Sequence, residues 1–266
     1  MKIVVCIKQV PDSDKVTIDR TTNRLNRAGV PAVVNPFDEN ALELALKLKD
    51  ANPGTTVTVV SMGPPQAAEA IKEAVAHGAD GGVLVSGREF GGADTWATGY
   101  TLSLAIRKIA ETDGPADLLL FGKQATDGDT AQVGPGIATH LGVPCLTCVQ
   151  SCEVLDDKTF KVVRIVEDGR EEWEVQRPCA LTVAREAGDL RIANLRCKMK
   201  AKSYQPPTWG VAELSPNPDF IGLKGSPTRV AKVFAPPVKT NRERIEGTPA
   251  EQAAKLIGRL AERHLV

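Results

Sequence analysis

The stretch DLLLFGKQATDGDTAQVGPGIATHL, residues 117–141, decides the fold because it predicts a buried strand, a polar loop and a helix in succession. The apolar run from Asp117 to Gly122 is typical of a central strand that is covered on both faces. Turn-forming residues follow, and a helix is predicted from Asp129 to Leu141. This order describes one β-α unit of a mostly parallel sheet.

Three more β-α units precede this one. Their predicted strands are Ile3–Ile7, Thr56–Ser61 and Val83–Val85. Their predicted helices are one opened by Asn35-Pro36-Phe37-Asp38-Glu39 with Asp38 as its cap, one reaching about His77, and one from Thr95 to Ala110 capped by Asp94. Four such units without an internal repeat predict an α/β fold with a doubly wound, mostly parallel sheet of the adenine-nucleotide-binding type.

The pattern changes after this domain core. Cys145 to Ala184 is β-rich, with Lys161–Val166 and Trp173–Gln176 predicted to form a hairpin. Beyond Lys202 proline recurs, which favours an extended arm over a packed domain. The sequence therefore divides into a nucleotide-binding domain with a β-rich extension, residues 1–202, and an arm, residues 203–266.

The arm ends in a predicted amphipathic helix. Thr248-Pro249-Ala250-Glu251 is a capping box with proline at the first helical position. The apolar stripe of this helix consists of Ala253, Leu256, Ile257 and Leu260. The stripe packs either on a partner or back on its own domain, and the pattern alone does not choose between the two.

Charge and hydropathy exclude several function classes. Thirty-three basic residues balance thirty-three acidic ones, so no overall field favours nucleic acid or an acidic membrane. No stretch approaches the roughly 20 apolar residues of a membrane span. We therefore expect a cytoplasmic protein with no membrane span and no nucleic-acid partner.

The chain carries little sign of a metal site or of catalytic side chains. Cys145 and Cys148 form a C-x-x-C, but residues three apart on a strand face opposite sides, which favours reduced thiols over a metal site. The chain has no G-x-G-x-x-G after its first strand, no P-loop and no G-x-S-x-G elbow. We expect no metal and no catalytic side chain.

The loop between Gly122 and Gln132 is the most informative of the strand-to-helix turns. Helix-start amides near Asp129 and Thr130, together with Lys123, could hold a phosphate. Asp127 and Asp129 would repel it, so at least one of them must cap the helix, face a ribose or turn away. The alternative interpretation is a capped helix with a solvated acidic loop.

Five motifs together resemble the beta subunit of electron transfer flavoproteins. Four of them are Lys8-Gln9-Val10-Pro11, Asn35-Pro36-Phe37-Asp38, Ser61-Met62-Gly63-Pro64 and Gly122-Lys123-Gln124-Ala125. The fifth is Val162-x-Arg164 with Glu167-Asp168-Gly169 and Pro178-x-x-Leu181-Thr182. The resemblance covers residues 1 to about 202.

The resemblance implies a cofactor and partners. Members of this family pair with a larger alpha subunit that carries FAD, while the beta subunit holds AMP or a second FAD. The implied cofactor-binding residues are Cys6 (through its backbone), Lys8, Asn35, Pro36, Phe37, Asp38, Met62, Gly63, Asp94, Thr95, Gly122, Lys123, Gln124, Ala125, Thr126, Asp127, Gly128, Asp129, Thr130, Ala131, Gln132 and Val133.

The resemblance also implies a recognition loop at about residues 185–202. Leu195 would enter a pocket on a partner dehydrogenase, with Arg191, Arg196, Lys198 and Lys200 around it. The alternative is a solvated basic loop. The last helix would pack on the alpha subunit.

The run Asp127-Gly128-Asp129-Thr130 resembles the electron-bifurcating members, which bind FAD and NADH. NADH would deliver a hydride to the flavin of the beta site. One electron would pass to ferredoxin or flavodoxin, and the other through the alpha-subunit FAD to an acyl-CoA-type dehydrogenase. Whether the chain then counts as an enzyme stays open, because the flavin supplies the chemistry.

The alternatives are an AMP-binding, non-bifurcating beta subunit, an ATP-using enzyme of the same fold, and a regulatory nucleotide-binding module.

Overall fold

The structure is a computed structural model that describes residues 1–12, 17–19, 24–26, 31–231, 242 and 244–266. Within these ranges a nine-stranded sheet forms the centre of the molecule. Its strands are β1 (Lys2–Cys6), β6 (Thr56–Met62), β7 (Gly81–Val85), β8 (Leu118–Gly122), β9 (Cys145–Val154), β10 (Thr159–Val166), β11 (Gly169–Gln176), β12 (Cys179–Val183) and β13 (Thr208–Trp209). Two small antiparallel pairs lie outside it: β2 (Gln9–Pro11) with β5 (Ala32–Val34), and β3 (Thr17–Asp19) with β4 (Arg24–Asn26).

The strand order is β11-β10-β9-β12-β8-β1-β6-β7-β13. The seven strands from β9 to β13 in this order are parallel, and only the β9-β10 and β10-β11 pairings are antiparallel. The predicted doubly wound sheet with its β-rich hairpin extension is confirmed.

Helices cover both faces of the sheet. The α-helices of the described ranges are α1 (Pro36–Ala51), α2 (Ala68–His77), α3 (Thr95–Asp113), α4 (Val133–Leu141), α5 (Leu195–Ser203), α6 (Val211–Leu214) and α7 (Pro249–Glu262), of which α1 and α2 pack on one face of the sheet and α3 and α4 on the other. Side chains alternate along β1, so that Ile3 and Val5 join a core with α1 and α2, while Val4 and Cys6 join a core with α3 and α4. Each face of the sheet therefore has its own hydrophobic core.

The segment after Lys202 differs from the predicted extended arm. Tyr204 exchanges hydrogen bonds with the backbone of Gly82, and β13 then pairs in parallel with β7. Leu214 and Ile221 are buried in the core on the α3 side. The short elements β13 and α6 form between the prolines of this segment. Residues up to about 228 therefore pack with the domain. The final helix, α7, has its predicted capping box and no buried residue.

Candidate functional site

The strand order reverses between β1 and β8, and the region at the carboxyl ends of these two strands is called the crevice below. From β1 the chain proceeds to β6 and β7 on one side, and later returns to β8 on the other side. The loops that leave the carboxyl ends of β1 and β8 therefore diverge to opposite faces. Ligands of open α/β sheets bind at such a reversal of strand order.

Asp38 connects the two strand ends at the floor of this crevice. One carboxylate oxygen accepts the backbone N–H of Lys8 at 2.7 Å and the other accepts the N–H of Gly122 at 3.1 Å. The predicted helix cap at Asp38 is wrong, because Asn35 occupies the cap position of α1 and Asp38 lies within the first turn. Burial raises the pKa of Asp38 to about 7, although the hydrogen bonds from Asn35, Lys8 and Gly122 lower it.

Asn35 anchors the loop that follows β8. Its side-chain amide donates to the carbonyl of Gln124 at 2.8 Å, and its side-chain oxygen accepts the N–H of Thr126 at 3.1 Å. Its own backbone N–H donates to the carbonyl of Lys8 at 2.8 Å. Asn35 has a relative exposure of 0% and therefore holds the loop from its buried side.

Gly122 permits the close approach of α1 to β8. A Cβ at this position would lie 2.3 Å from Oδ1 of Asp38 and 2.6 Å from the carbonyl carbon of Phe37. No side chain fits there unless the first turn of α1 moves. The glycine in the Gly122-Lys123-Gln124-Ala125 motif is therefore required by packing.

The loop from Lys123 to Gln132 is exposed over its second half. Asp127 pairs with Lys8 at 2.7 Å, and Asp129 accepts a short hydrogen bond from the side chain of Gln124. Asp129 and Ala131 have φ of 54° and 55°, a left-handed conformation that breaks the helix before it can begin. The predicted helix start at Asp129 is wrong, because α4 begins at Val133.

Neither acidic side chain of the loop caps α4. The cap residue, Gln132, makes no side-chain cap hydrogen bond, and the first turn holds no acidic residue. The amides of Val133 and Gly134 consequently lie at a helix N-terminus that favours an anion. Lys123 directly follows β8, and its implied role at a phosphate stays a prediction.

Cys6 and Met62 lie at the carboxyl ends of β1 and β6, next to the crevice. Burial, and secondarily the charge of Asp38, raise the pKa of the Cys6 thiol far above its usual range, so the thiol stays protonated. Gly63 follows Met62 and donates its N–H to Val85 at 3.0 Å. The implied cofactor roles of Cys6, Met62 and Gly63 stay predictions.

Asp94 lies at the start of α3, after β7, and its carboxylate is fully engaged. Oδ1 accepts the N–H groups of Trp96 and Ala97, which confirms the predicted cap. Oδ2 accepts the N–H and the hydroxyl of Thr228 at 2.9 and 2.8 Å. The implied cofactor role of Asp94 and its neighbour Thr95 stays a prediction.

The predicted recognition loop is partly helical, since it contains most of α5. The side-chain oxygen of Asn194 caps this helix by accepting the N–H of Cys197. Leu195 is 76% exposed and Ile192 is 92% exposed. The guanidinium of Arg191 binds both carboxylate oxygens of Glu43 at 2.9 and 3.1 Å and a carboxylate oxygen of Asp50 at 2.7 Å. The guanidinium of Arg191 is thus held by ion pairs within the chain.

Glu43 is a residue that the sequence reasoning missed. It is buried on α1 and also accepts the backbone N–H of Arg191 at 3.0 Å. The signal was a carboxylate between Leu42 and Leu44 on that helix, since a buried acid requires a partner. Two more side chains of α1 hold the same segment: Asn40 donates to Gly188 and Lys47 donates to Ala187.

In the part of the chain that the structure describes, no three His, Cys, Asp or Glu side chains are grouped as metal ligands. No helix of the described ranges has the length and apolarity of a bilayer span.

Comparison with known proteins places the chain. The family described as "Electron transfer flavoprotein domain" matches residues 22–214. The "Caffeyl-CoA reductase-Etf complex subunit CarD" of Acetobacterium woodii is 46% identical over 267 residues, covering 100% of both chains. The "Electron transfer flavoprotein subunit beta" of Clostridium acetobutylicum is 46% identical over 266 residues, and the "Acryloyl-CoA reductase electron transfer subunit gamma" of Anaerotignum propionicum 41% over 271, each with 100% of both chains covered. The chain belongs to the electron transfer flavoprotein family and is of its beta-subunit type.

Proposed function

We propose that this chain is the beta subunit of a heterodimeric electron transfer flavoprotein that binds FAD between β1 and β8 and takes part in electron bifurcation. NADH would be the reductant, and ferredoxin or flavodoxin the low-potential acceptor. The second electron would leave through an FAD of the alpha subunit to an acyl-CoA-type dehydrogenase. The crevice at the reversal of strand order, with the uncapped N-terminus of α4 at its end, carries the proposal.

The residues around the crevice fit an adenine nucleotide that carries phosphate. Backbone amides at Val133 and Gly134 favour an anion, and Lys123 adds a positive charge. The loop side chains of Asp127 and Asp129 are held by Lys8 and Gln124, which limits their repulsion of that anion. A Cβ on Gly128 would meet nothing within 4 Å, so the loop is open at its tip.

A flavin bound there would supply the redox chemistry, accepting two electrons and releasing them one at a time. The role of this chain would be to bind the flavin, to orient it and to shield it from water. The names of the similar proteins from Acetobacterium woodii and Anaerotignum propionicum refer to reductases of CoA thioesters. They support an acyl-CoA-type dehydrogenase as the partner of this subunit.

Two surfaces fit the proposed partners. The apolar stripe of α7 has no buried residue, although its capping box makes a well-formed helix start. We assign it to the alpha subunit. Leu195 and Ile192 project from a segment that Arg191 fixes to α1, and we assign this segment to the dehydrogenase.

The test is to count the nucleotides released from the purified heterodimer. Two FAD per heterodimer, together with NADH-dependent reduction of ferredoxin or flavodoxin, are expected. One FAD and one AMP would instead establish the non-bifurcating alternative. A heterodimer that holds no nucleotide other than the alpha-subunit FAD would exclude both.

A further inference from the structure

Asn35 and Asp38 lie in a motif expected to touch the cofactor, but their side chains point elsewhere. Both are buried, with exposures of 0% and 6%. The hydrogen bonds of the Asn35 side chain go to Gln124 and Thr126 of the loop after β8. Those of the Asp38 carboxylate go to the backbones of Lys8 and Gly122, where β1 and β8 end.

These hydrogen bonds join three parts of the chain. Lys8 and Asp38 are separated by 30 positions, Gly122 and Asp38 by 84, and Thr126 and Asn35 by 91. The strands β1 and β8 are adjacent in the sheet, but their loops diverge and have no ladder between them. The start of α1, from its cap residue Asn35 to Asp38, therefore supplies buried contacts between the two loops, in addition to the partly exposed Lys8–Asp127 ion pair.

We propose that Asp38 and Asn35 are positioning residues, which hold the two walls of the nucleotide crevice from its buried side and do not contact the nucleotide through their side chains. The inference rests on the proposed nucleotide site. It adds that binding depends on the ionised state of Asp38. A carboxylate accepts two N–H groups well, whereas a protonated carboxyl keeps one good acceptor oxygen.

Burial raises the pKa of Asp38, whereas the hydrogen bonds from Asn35, Lys8 and Gly122 lower it. Of the groups that face it, Lys8 lowers the pKa of its carboxyl, and the Cys6 thiol stays neutral. Burial outweighs these influences and raises the pKa of Asp38 to about 7. Nucleotide affinity should then rise with pH as Asp38 ionises.

The test uses the full chain with FAD and AMP as separate probes, titrated between about pH 6 and about pH 8.5. The wild-type chain should bind more weakly at the acidic end. Asp38→Asn should bind about tenfold more weakly at the alkaline end, where a charge-assisted hydrogen bond is lost, and should show no such rise with pH. Glu39→Gln, at the next position, is the matched control and should behave like the wild type.

Amide hydrogen exchange at fixed pH without nucleotide gives a second readout. Asp38→Asn should lose protection at Lys8 and Gly122, and Asn35→Ala at Thr126, while α3 stays protected in both. Unchanged protection, or a wild-type affinity that does not vary with pH, would overturn the positioning role. A wild-type chain that binds neither probe at any pH would overturn the proposed function, and the exchange data would still decide the positioning role.

Discussion

Nζ of Lys8 lies 2.7 Å from Oδ1 of Asp127, a residue 119 positions later in the chain. This ion pair crosses the crevice from the turn after β1 to the exposed loop after β8. Such partly exposed pairs contribute little to stability, about 0–1 kcal/mol. If the crevice holds a phosphate as proposed, the pair matters for binding, because it occupies a cation that the phosphate would otherwise attract.

Asp127→Asn should therefore tighten nucleotide binding. The change removes a negative charge from the crevice and releases Lys8, and we expect an affinity gain of a few-fold, about 0.5–1 kcal/mol. Lys8→Met should weaken binding. Calorimetric titration with FAD and with AMP measures both. If Asp127→Asn instead weakens binding tenfold or so, Asp127 contacts the ligand directly, as a ribose partner would.

Gly122→Ala should be strongly destabilising. The added Cβ would lie 2.3 Å from Asp38 Oδ1 and 2.7 Å from the Asp38 backbone nitrogen, so α1 must shift away from β8. Overpacking of this kind costs about 1–3 kcal/mol or more. Urea unfolding measures the loss. Gly128→Ala is the control, with no atom within 4 Å of its Cβ, and it should leave stability nearly unchanged.

The sequence predicted the sheet well because the strands are apolar runs whose burial needs no long-range information. Val5 and Leu120 could be assigned to the core by pattern alone, and both are fully buried. The helix start after β8 could not be predicted, because Asp129 and Ala131 adopt a left-handed backbone conformation that their residue types do not indicate. The hydrogen-bond partners of Asp38 could not be predicted either, since they are backbone amides distant in sequence.

The segment after Lys202 was misread for a related reason. Its prolines limit regular structure to short elements, and β13 needs only two residues to extend the sheet. The hydrogen bond from the Tyr204 hydroxyl to Gly82 depends on the fold of the rest of the chain. No local pattern contains such information.

Asp94→Ala should loosen both α3 and the segment around Thr228. The helix loses its cap, at a cost of about 1–2 kcal/mol, and Thr228 loses the acceptor of its N–H and hydroxyl. Trypsin should cleave faster at Lys224 and Arg229. Thr228→Val is the control, which removes one of these hydrogen bonds and keeps the cap. Equal cleavage rates in Asp94→Ala and wild type would show that Asp94 does not hold this segment.

Stability should depend on pH through Asp38. Burial raises its pKa from 3.8 to about 7, so the folded chain binds this proton more tightly than the unfolded chain. The contribution of Asp38 to the free energy of unfolding is therefore largest in acid and falls as pH rises from about 4 to about 7. Urea unfolding of wild type and Asp38→Asn at about pH 5 and about pH 8 measures it. The difference between the two proteins should change with pH; a constant difference contradicts the raised pKa.

Leu256→Asp tests the assignment of α7 to the alpha subunit. Leu256 is 49% exposed, and no residue of α7 is buried in the chain itself. The chain alone should therefore keep its stability, while a charge placed in a buried interface should weaken the heterodimer by about 2 kcal/mol or more, roughly thirtyfold.

Ala254→Asp is the matched control, because it introduces the same charge on the opposite side of the helix. It should leave heterodimer affinity, measured by analytical ultracentrifugation, nearly unchanged. If Leu256→Asp destabilises the isolated chain in urea, the stripe packs on its own domain. If it changes neither affinity nor stability, α7 is not the contact with the alpha subunit, because an apolar stripe that is buried on association cannot accept an unpaired carboxylate without cost.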